Sequence, residues 1–401
     1  MTDAGPSSSL RPGRRADGPA ARRELVVYCA GTSWDGVTGS DAHMARQLSR
    51  HVDVLFVDPA VSFLSHRSLR RLRAIGQPPW LERVDDRLVR LSPVVLPGLT
   101  RPIVHRTTAP LVRRAIERSV QAMGAEVRAV VVSTLDDLLD VCGAPRRVFY
   151  GTDDYVAGAR LMGLRESVLR TAEVRQLRKA THVLAVSPEL RAQWSRPGRE
   201  AVLLTNGCDV DTFARTDAAS RPTDLHLDGP IAGVVGQITA RIDLRLLEAV
   251  AGSGCGLLLV GPIDPSFEPA RMKRLLRLAN VQAVGRRPFD QLPAYLSAID
   301  VGLTPYAESA FNRASFPLKT LEYLAAGRPV VSTDLPAARW LATDLIRVAT
   351  TPADFVAATW AAASEARTPE AVQARQSFAR AHSWQRRGDQ LSSLILDGSS
   401  R

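Results

Sequence analysis

From Glu24 onward, short β-branched apolar runs alternate with longer stretches in which apolar residues recur at helical spacing. That alternation predicts βαβ units, and hence a parallel sheet with helices on both faces. In the first half the strands fall at 25–29, 52–57, 88–91, 129–132, 147–150, 182–186 and 202–204, with helical periods at 41–49, 107–123 and 155–179. Residues 216–230 are polar and aperiodic and a fresh apolar run follows, which predicts a linker over 216–228. Strands at 231–235, 257–260, 281–283, 301–304 and 329–332 then build a second unit. The predicted fold class is α/β, with two doubly wound parallel-sheet domains, 24–215 and 229–375, facing a cleft, and a last segment at 376–401. Ligands of such sheets bind beyond the carboxyl ends of the strands.

Composition narrows the picture. The chain has 401 residues, 45% hydrophobic and 23% charged, which excludes a wholly disordered, collagenous or coiled-coil chain. Cys29, Cys142, Cys208 and Cys255 are scattered without a C-x-x-C pair, against a disulfide framework or a zinc knuckle. No apolar run reaches the ~18 residues of a membrane span. Residues 1–23, with five arginines and no apolar stretch, read as a disordered tail rather than a signal peptide, so the expected location is cytoplasmic.

The net charge of +11 lies almost wholly in the first 200 residues, and all but three of the 52 basic residues are arginines. Arg67, Arg70, Arg71 and Arg73 are interleaved with Leu64, Leu69, Leu72 and Ile75, so a helix there would show one basic and one apolar face. That pattern suits an anionic membrane surface, with a solvated arginine face as the plain alternative. Nucleic acid is not an expected partner, because aromatics are 5% and do not interleave with the basic residues.

Two segments carry candidate chemistry. After the first strand comes Gly31-Thr32-Ser33-Trp34-Asp35-Gly36-Val37-Thr38-Gly39, which has neither the Lys of a P-loop nor the G-x-G of a dinucleotide fingerprint. What remains is a glycine-rich turn at a helix start, suited to an anion or a sugar hydroxyl. The richer segment runs from Asn312 through Pro317, Lys319 and Glu322 to Gly327. Pro317 as first helical residue and Gly327 just past the end predict a helix of about ten residues. Its capping position falls to Phe316, which has no side-chain acceptor, leaving first-turn N–H groups for a diphosphate. Lys319 adds a cation where the helix dipole by itself prefers an anion, and Glu322 can accept from vicinal hydroxyls. A plain surface pair of Lys319 with Glu322 is the alternative.

The string Pro317-Leu318-Lys319, Glu322-Tyr323-Leu324-Ala325-Ala326-Gly327, Pro329-Val330-Val331 resembles the donor-site signature of GT-B glycosyltransferases of the large retaining family 4, most closely its teichuronic-acid and exopolysaccharide branch. Gly236 to Asp243, Asn280 to Pro288, and Asp300 to Tyr306 resemble the same family in order and spacing, as do Ser33 to Gly36, Phe56 to Pro59, Tyr150 to Tyr155 and Thr205 to Asp209. The resemblance runs from about Leu25 to Asp389. It implies two Rossmann-like domains, the first for the acceptor and the second for a nucleotide-sugar donor, with a C-terminal helix crossing back to the first. It implies no metal and no cofactor, and transfer to a cell-surface glycan or lipid-linked acceptor.

By the same resemblance the donor site comprises Gly236, Gln237, Arg241, Gly285 and Arg286, with Asn312, Ser315, Phe316, Pro317, Leu318, Lys319 and Glu322. Arg241, Lys319 and Asp153 are the candidate catalytic groups, and Asp35, Gly36, Gly39, His43 and Asp154 the acceptor loop and its neighbours. Asp153 and Asp154 are adjacent rather than spaced as a metal-binding D-x-D, and a helix-capping pair is their plain reading. Two departures stand out. The family carries two glutamates eight positions apart, and counting back from Glu322 gives Ala314. The family's usual Arg at the head of the second-domain glycine loop is Gln237. These departures make a non-catalytic nucleotide-sugar binder one alternative; a nucleotide-sugar epimerase or hydrolase on the same architecture, which would need a carboxylate or histidine at the anomeric or neighbouring carbon, is another.

Overall fold

The computed structural model describes residues 23–35, 39–62, 81–96, 102–316 and 318–396, with only the backbone of 102–106. The basic segment at Arg67–Arg73, Gly36, Pro317 and the expected tail up to residue 22 lie outside the described residues. Strands β1 (Arg23–Cys29), β2 (Asp53–Val57), β3 (Val61–Ser62), β4 (Leu81–Asp85), β5 (Leu88–Leu91), β6 (Val94–Val95), β7 (Ala125–Val132), β8 (Arg146–Gly151), β9 (His182–Ala185) and β10 (Val202–Leu203) occupy the first half. Eight of them form one sheet in the order β10-β9-β8-β7-β1-β2-β5-β4, and β3 pairs with β6 in a short parallel ribbon. In the second half β11 (Ile231–Val235), β12 (Gly256–Val260), β13 (Val281–Gly285), β14 (Val301–Thr304), β15 (Val330–Thr333) and β16 (Ile346–Ala349) form a six-stranded sheet. Its order is β13-β12-β11-β14-β15-β16.

Both sheets are doubly wound, with the switch point between β1 and β7 in the first and between β11 and β14 in the second. The central strands read as continuous apolar runs because helices cover both faces. Residues 25–29 and 231–235 are buried throughout. In β1, Val26 sits between Val54 of β2 and Ala129 of β7, so its side chain meets aliphatic neighbours on both sides. Gly233 of β11 leaves room for the Ile299 side chain: a Cβ there would lie 2.1 Å from Ile299 Cδ1.

Several elements differ from the sequence expectation. β4 is an antiparallel edge strand joined to β5 through Asp86–Arg87, and its LERVD sequence carries three charged residues with none of its side chains fully buried. β16, with Arg347 in its middle, is likewise an edge strand that apolar patterning did not signal. The expected helix at 155–179 is a chain of turns followed by a helix over Glu166–Lys179 only. The cause is local: Asp154 accepts from Ala157 N–H at 2.9 Å and Gly163 takes a φ of +65°, which breaks a helical path. The helix expected from Pro317 runs over Leu318–Ala325 and ends as predicted at Gly327, with φ +73°.

The end of the chain ties the halves together. Helix Pro369–Ala381 contacts helix Leu318–Ala325, whereas Trp384–Leu396 lies on Ser40–Leu48 of the first half. Trp384, Leu391 and Ile395 are buried with Val26, Met44 and Leu48. Gly388 is what allows this contact, since a Cβ there would fall 2.2 Å from that of Gln47. Among the described residues no helix is long and apolar enough to cross a membrane.

Candidate functional site

A cavity of about 520 Å³ opens where the carboxyl ends of the two sheets face each other. The second half contributes the loop after β11 (Gly236, Gln237, Arg241), the loop after β12 (Gly261, Pro262), the loop after β13 (Arg286 to Phe289), Pro305 and Tyr306 after β14, and the start of helix Leu318–Ala325. The first half contributes Gly39 and Ser40, Thr152 and Asp153 after β8, and Asn206 after β10.

Two glycines shape the floor. Gly261, at φ +150°, passes so close to Gly236 that a Cβ would meet the Gly236 carbonyl oxygen at 1.8 Å. Gly236, at φ +136°, lets the aliphatic part of Lys319 lie beside it, 3.4 Å from where a Cβ would be. Tyr323, in the same helix as Lys319, donates from its hydroxyl to an acceptor set by β11 and itself accepts from Val235 N–H at 2.7 Å, so helix and glycine loop are held in register. Lys319 Nζ reaches Glu322 at 2.7 Å. The i,i+3 pair is therefore formed, and Glu322 is buried behind Lys319 rather than lining the cavity. Outside the helix, no acceptor among the described residues takes the Leu318 or Lys319 N–H.

Arg241 is the second cation. Its guanidinium lies over the rings of Tyr306 and Phe311, at 5.4 and 4.8 Å, and its Nε donates to Asn312 Oδ1 at 3.1 Å. Asn312 Nδ2 in turn donates to the Arg241 carbonyl at 2.9 Å and to the Ala307 carbonyl at 2.8 Å. Asn312 thus grips both the backbone and the side chain of Arg241 and does not line the cavity itself. Arg286 lines the mouth, and Arg287 is held by Tyr295 and Asp224.

Asp153 is the one carboxylate among the lining residues. It accepts from Ser315 Oγ, across the cleft, at 3.4 Å. Burial pushes its carboxyl up to about 6, against the pull of Arg241 and the Ser315 hydroxyl. Two more contacts bind the loop before Lys319 to the first half. Asn206 Nδ2 donates to the Phe316 carbonyl at 3.1 Å, and Ser187 Oγ donates to the Ala314 carbonyl at 2.5 Å. Asn206 Oδ1 also accepts from Ser40 Oγ at 2.9 Å. Where the resemblance expects a glutamate, the chain uses a backbone carbonyl to hold its halves together.

Of the expected donor residues, Gly236, Gln237, Arg241, Arg286, Phe316, Leu318 and Lys319 line the cavity. Asn312, Ser315 and Glu322 are buried outside the lining, and Gly285, half-buried, is not part of it. The acceptor expectation fares differently. Gly39 lines the cavity, but Asp35 is held by Arg90 through two 3.0 Å bonds, in a network with Asp58 and Glu82. Asp154 is buried and caps its own turn. His43 is stacked on Trp384 at 5.2 Å and meets Phe289 edge-on at 5.6 Å, and burial lowers its pKa to about 4. It fastens the crossing helix and does not line this cavity.

Sequence reasoning passed over Ser40, Thr152, Asn206 and Tyr306 as site residues. A signal for Asn206 was available, since a polar residue directly after a strand end sits at the rim of a doubly wound sheet. It also passed over Asp41, whose buried carboxylate accepts from Tyr28, Gly31 N–H, the Thr32 N–H and hydroxyl, and Ser133, at 2.7 to 3.1 Å. That set of bonds fixes the turn after β1.

Residues 236–365 match the family model described as glycosyl transferases group 1. A Bacillus subtilis protein, TuaH, assigned to teichuronic acid biosynthesis as a glycosyltransferase, is 34% identical over 183 residues. That match covers 44% of this chain and spans about half (46%) of the relative's length. Among solved structures, sucrose-phosphate synthase from Thermosynechococcus elongatus superposes with a TM-score of 0.72 at 17% identity, covering 93% of this chain and 98% of its own. HepE of Anabaena, in complex with UDP and glucose, gives 0.64 at 15% identity, covering 94% and 100%. An Escherichia coli trehalose-6-phosphate protein bound with UDP-2-fluoro glucose gives 0.67 at 13%, covering 94% and 100%. At these identities the structural likeness speaks to the fold. Residues 236–365 therefore resemble a glycosyl transferases group 1 domain, and the chain has the GT-B fold of two Rossmann-like domains.

Proposed function

We propose that this protein is a glycosyltransferase of polysaccharide biosynthesis, moving a sugar from a nucleoside diphosphate sugar, with UDP or GDP as the nucleotide, to a hydroxyl of a cell-surface glycan or its lipid-linked precursor. The observation that carries this is the convergence of Lys319, Arg241 and the open N-terminus of helix Leu318–Ala325 on one cavity, inside the segment that matches the family model. As the bond from the anomeric carbon to the diphosphate breaks, negative charge grows on the leaving oxygens. Preorganised cations and backbone N–H groups stabilise that change more than they stabilise the bound donor. Asn312 keeps Arg241 from swinging away, and Tyr306 and Phe311 flank its guanidinium.

This charge neutralisation takes the place of a metal in the reading. Retention at the anomeric centre is part of the proposal through the resemblance, with the departing phosphate accepting the acceptor's proton on the face it leaves. Asp153, opposite the cations, receives a sugar or acceptor hydroxyl as hydrogen-bond acceptor. Two of the solved relatives are complexes with UDP or a UDP-sugar analogue, which supports a nucleoside diphosphate in the second half.

The test is calorimetric titration with UDP, GDP and ADP in the presence of EDTA. One nucleotide binds, and Lys319→Ala weakens it tenfold or more, about 1.4 kcal/mol. Absence of binding by all three, or binding only on addition of a divalent cation, refutes the reading.

A further inference from the structure

A second cavity, of about 1320 Å³, lies against the two crossings of the chain between its halves. Its walls come from helix Ser40–Leu48, the connection after β10 at 208–219, the loop after β13 at Phe289, Asp290 and Pro293, and the returning segment at 380–389. The crossings are tied to each other, with Cys208 N–H donating to the His382 carbonyl at 3.0 Å and Trp384 N–H to the Cys208 carbonyl at 3.1 Å. Phe289 is a wall of this cavity and of the first one.

Five exposed arginines line it: Arg46, Arg50, Arg215, Arg380 and Arg386. Among the described residues none of the five is within ion-pair distance of a carboxylate, whereas Arg245, Arg271 and Arg339 elsewhere on the surface each find one. Four acids share the cavity, and two of them are committed. Asp209 accepts from the Thr212 N–H and hydroxyl at 3.1 and 2.9 Å, and Asp389 is bonded to His51 at 3.0 Å. That leaves Asp211 and Asp290 against five cations. Like charges gathered without counter-ions repel, and an anion held among them relieves that repulsion.

His43 is an independent mark of a ligand. Its side chain lines the same cavity and is 8% exposed, yet neither ring nitrogen has a hydrogen-bond partner among the described residues. Polar groups buried this deeply ordinarily have one. Burial keeps the imidazole neutral at pH 7, with one N–H to donate. Arg46 beside it is steadied over the Trp34 ring, 4.4 Å from its centroid.

We propose that the cavity at the crossings binds a small polyanion, a molecule bearing two or more phosphate groups, held by guanidinium forks with the His43 N–H as a neutral donor. Arginines drawn from three separate segments suit more than one anionic group, and a lone phosphate is small beside a cavity of this size. The inference holds whether or not the first cavity takes a nucleotide sugar. The test is calorimetric titration of inorganic pyrophosphate into the full chain carrying Lys319→Ala, which removes one cation of the first cavity. Pyrophosphate binds. Adding Arg215→Ser/Arg386→Ser weakens it tenfold or more, whereas adding Arg274→Ser/Arg277→Ser, the same charge change at exposed arginines outside the cavity, alters it less than about twofold. The side chains of Arg215 and Arg386 make no hydrogen bond among the described residues, so their variant keeps the parent's melting temperature, and pyrophosphate raises that temperature more in the parent than in the variant. Absence of pyrophosphate binding, binding that survives Arg215→Ser/Arg386→Ser, or equal loss in the two variant pairs would each overturn the proposal, the second result assigning the anion to the first cavity.

Discussion

Replacing Asp153 by Asn is expected to stabilise the free protein above pH 6 while impairing its activity. Burial holds the Asp153 carboxyl at about 6, against an ordinary value of 3.8. A folded-state value above the unfolded one means that the neutral form is favoured in the fold. The stabilisation is complete below about pH 4 and is lost as pH rises through 6. The full cost of ionisation is about 3 kcal/mol at 1.36 kcal/mol per unit. Water in the open side of the cavity brings the usable part to about 1–2 kcal/mol. With an unfolding entropy near 2.1 cal/mol/K per residue, that range corresponds to roughly 1–3 °C for a chain of this length unfolding as one unit. The assay is thermal unfolding of wild type and Asp153→Asn from pH 4 to 8 without nucleotide. The curves coincide at pH 4, diverge between pH 4 and 6, and stay apart above pH 6, with the variant higher. A variant that melts at or below wild type at pH 8 refutes the argument, because the carboxylate would then be stabilised by Arg241 and Ser315 more than it is penalised by burial.

Two further outcomes follow from the geometry. Asn312→Ala removes three hydrogen bonds around Arg241 without touching the cavity wall, so nucleoside diphosphate affinity falls about tenfold while Asp153 still titrates, as calorimetry and the pH profile of unfolding will show. Gly302→Ala in β14 places a Cβ 2.2 Å from the Tyr323 ring, which cannot move without breaking its bond to Val235 N–H. The expected loss is about 2–3 kcal/mol in denaturant unfolding, with weaker nucleotide binding because Lys319 shares that helix.

The parts of the site that were legible are those written in one stretch of chain. Lys319 and Gly327 announce a cation and a helix end through local spacing, while Gly236 and Arg241 were named through the family resemblance; Gly236, Arg241 and Lys319 line the cavity, and Gly327 ends the helix. The acceptor side was read less well. His43 and Asp35 looked available because a lone histidine and a loop aspartate carry no mark of their partners. Those partners, Trp384 and Arg90, lie hundreds and tens of positions away. The 155–179 run was read as one helix because its apolar period continues through Gly158 and Gly163, while the side chain of Asp154 closes a competing turn.

The alternation of apolar runs with helical periods determined the two doubly wound sheets from the sequence by itself, since burial between helices requires continuous apolar strands wherever they pair. Apolar patterning missed β4 and β16 because edge strands have one neighbour and tolerate charge. Only the tertiary structure decided how the halves meet: Asn206 on the Phe316 carbonyl, Ser187 on the Ala314 carbonyl, Asp153 facing Ser315. These are single hydrogen bonds between positions more than a hundred residues apart. A hydrogen bond depends on where two atoms come to rest, and that is set by the packing of the whole chain rather than by the residues around either partner.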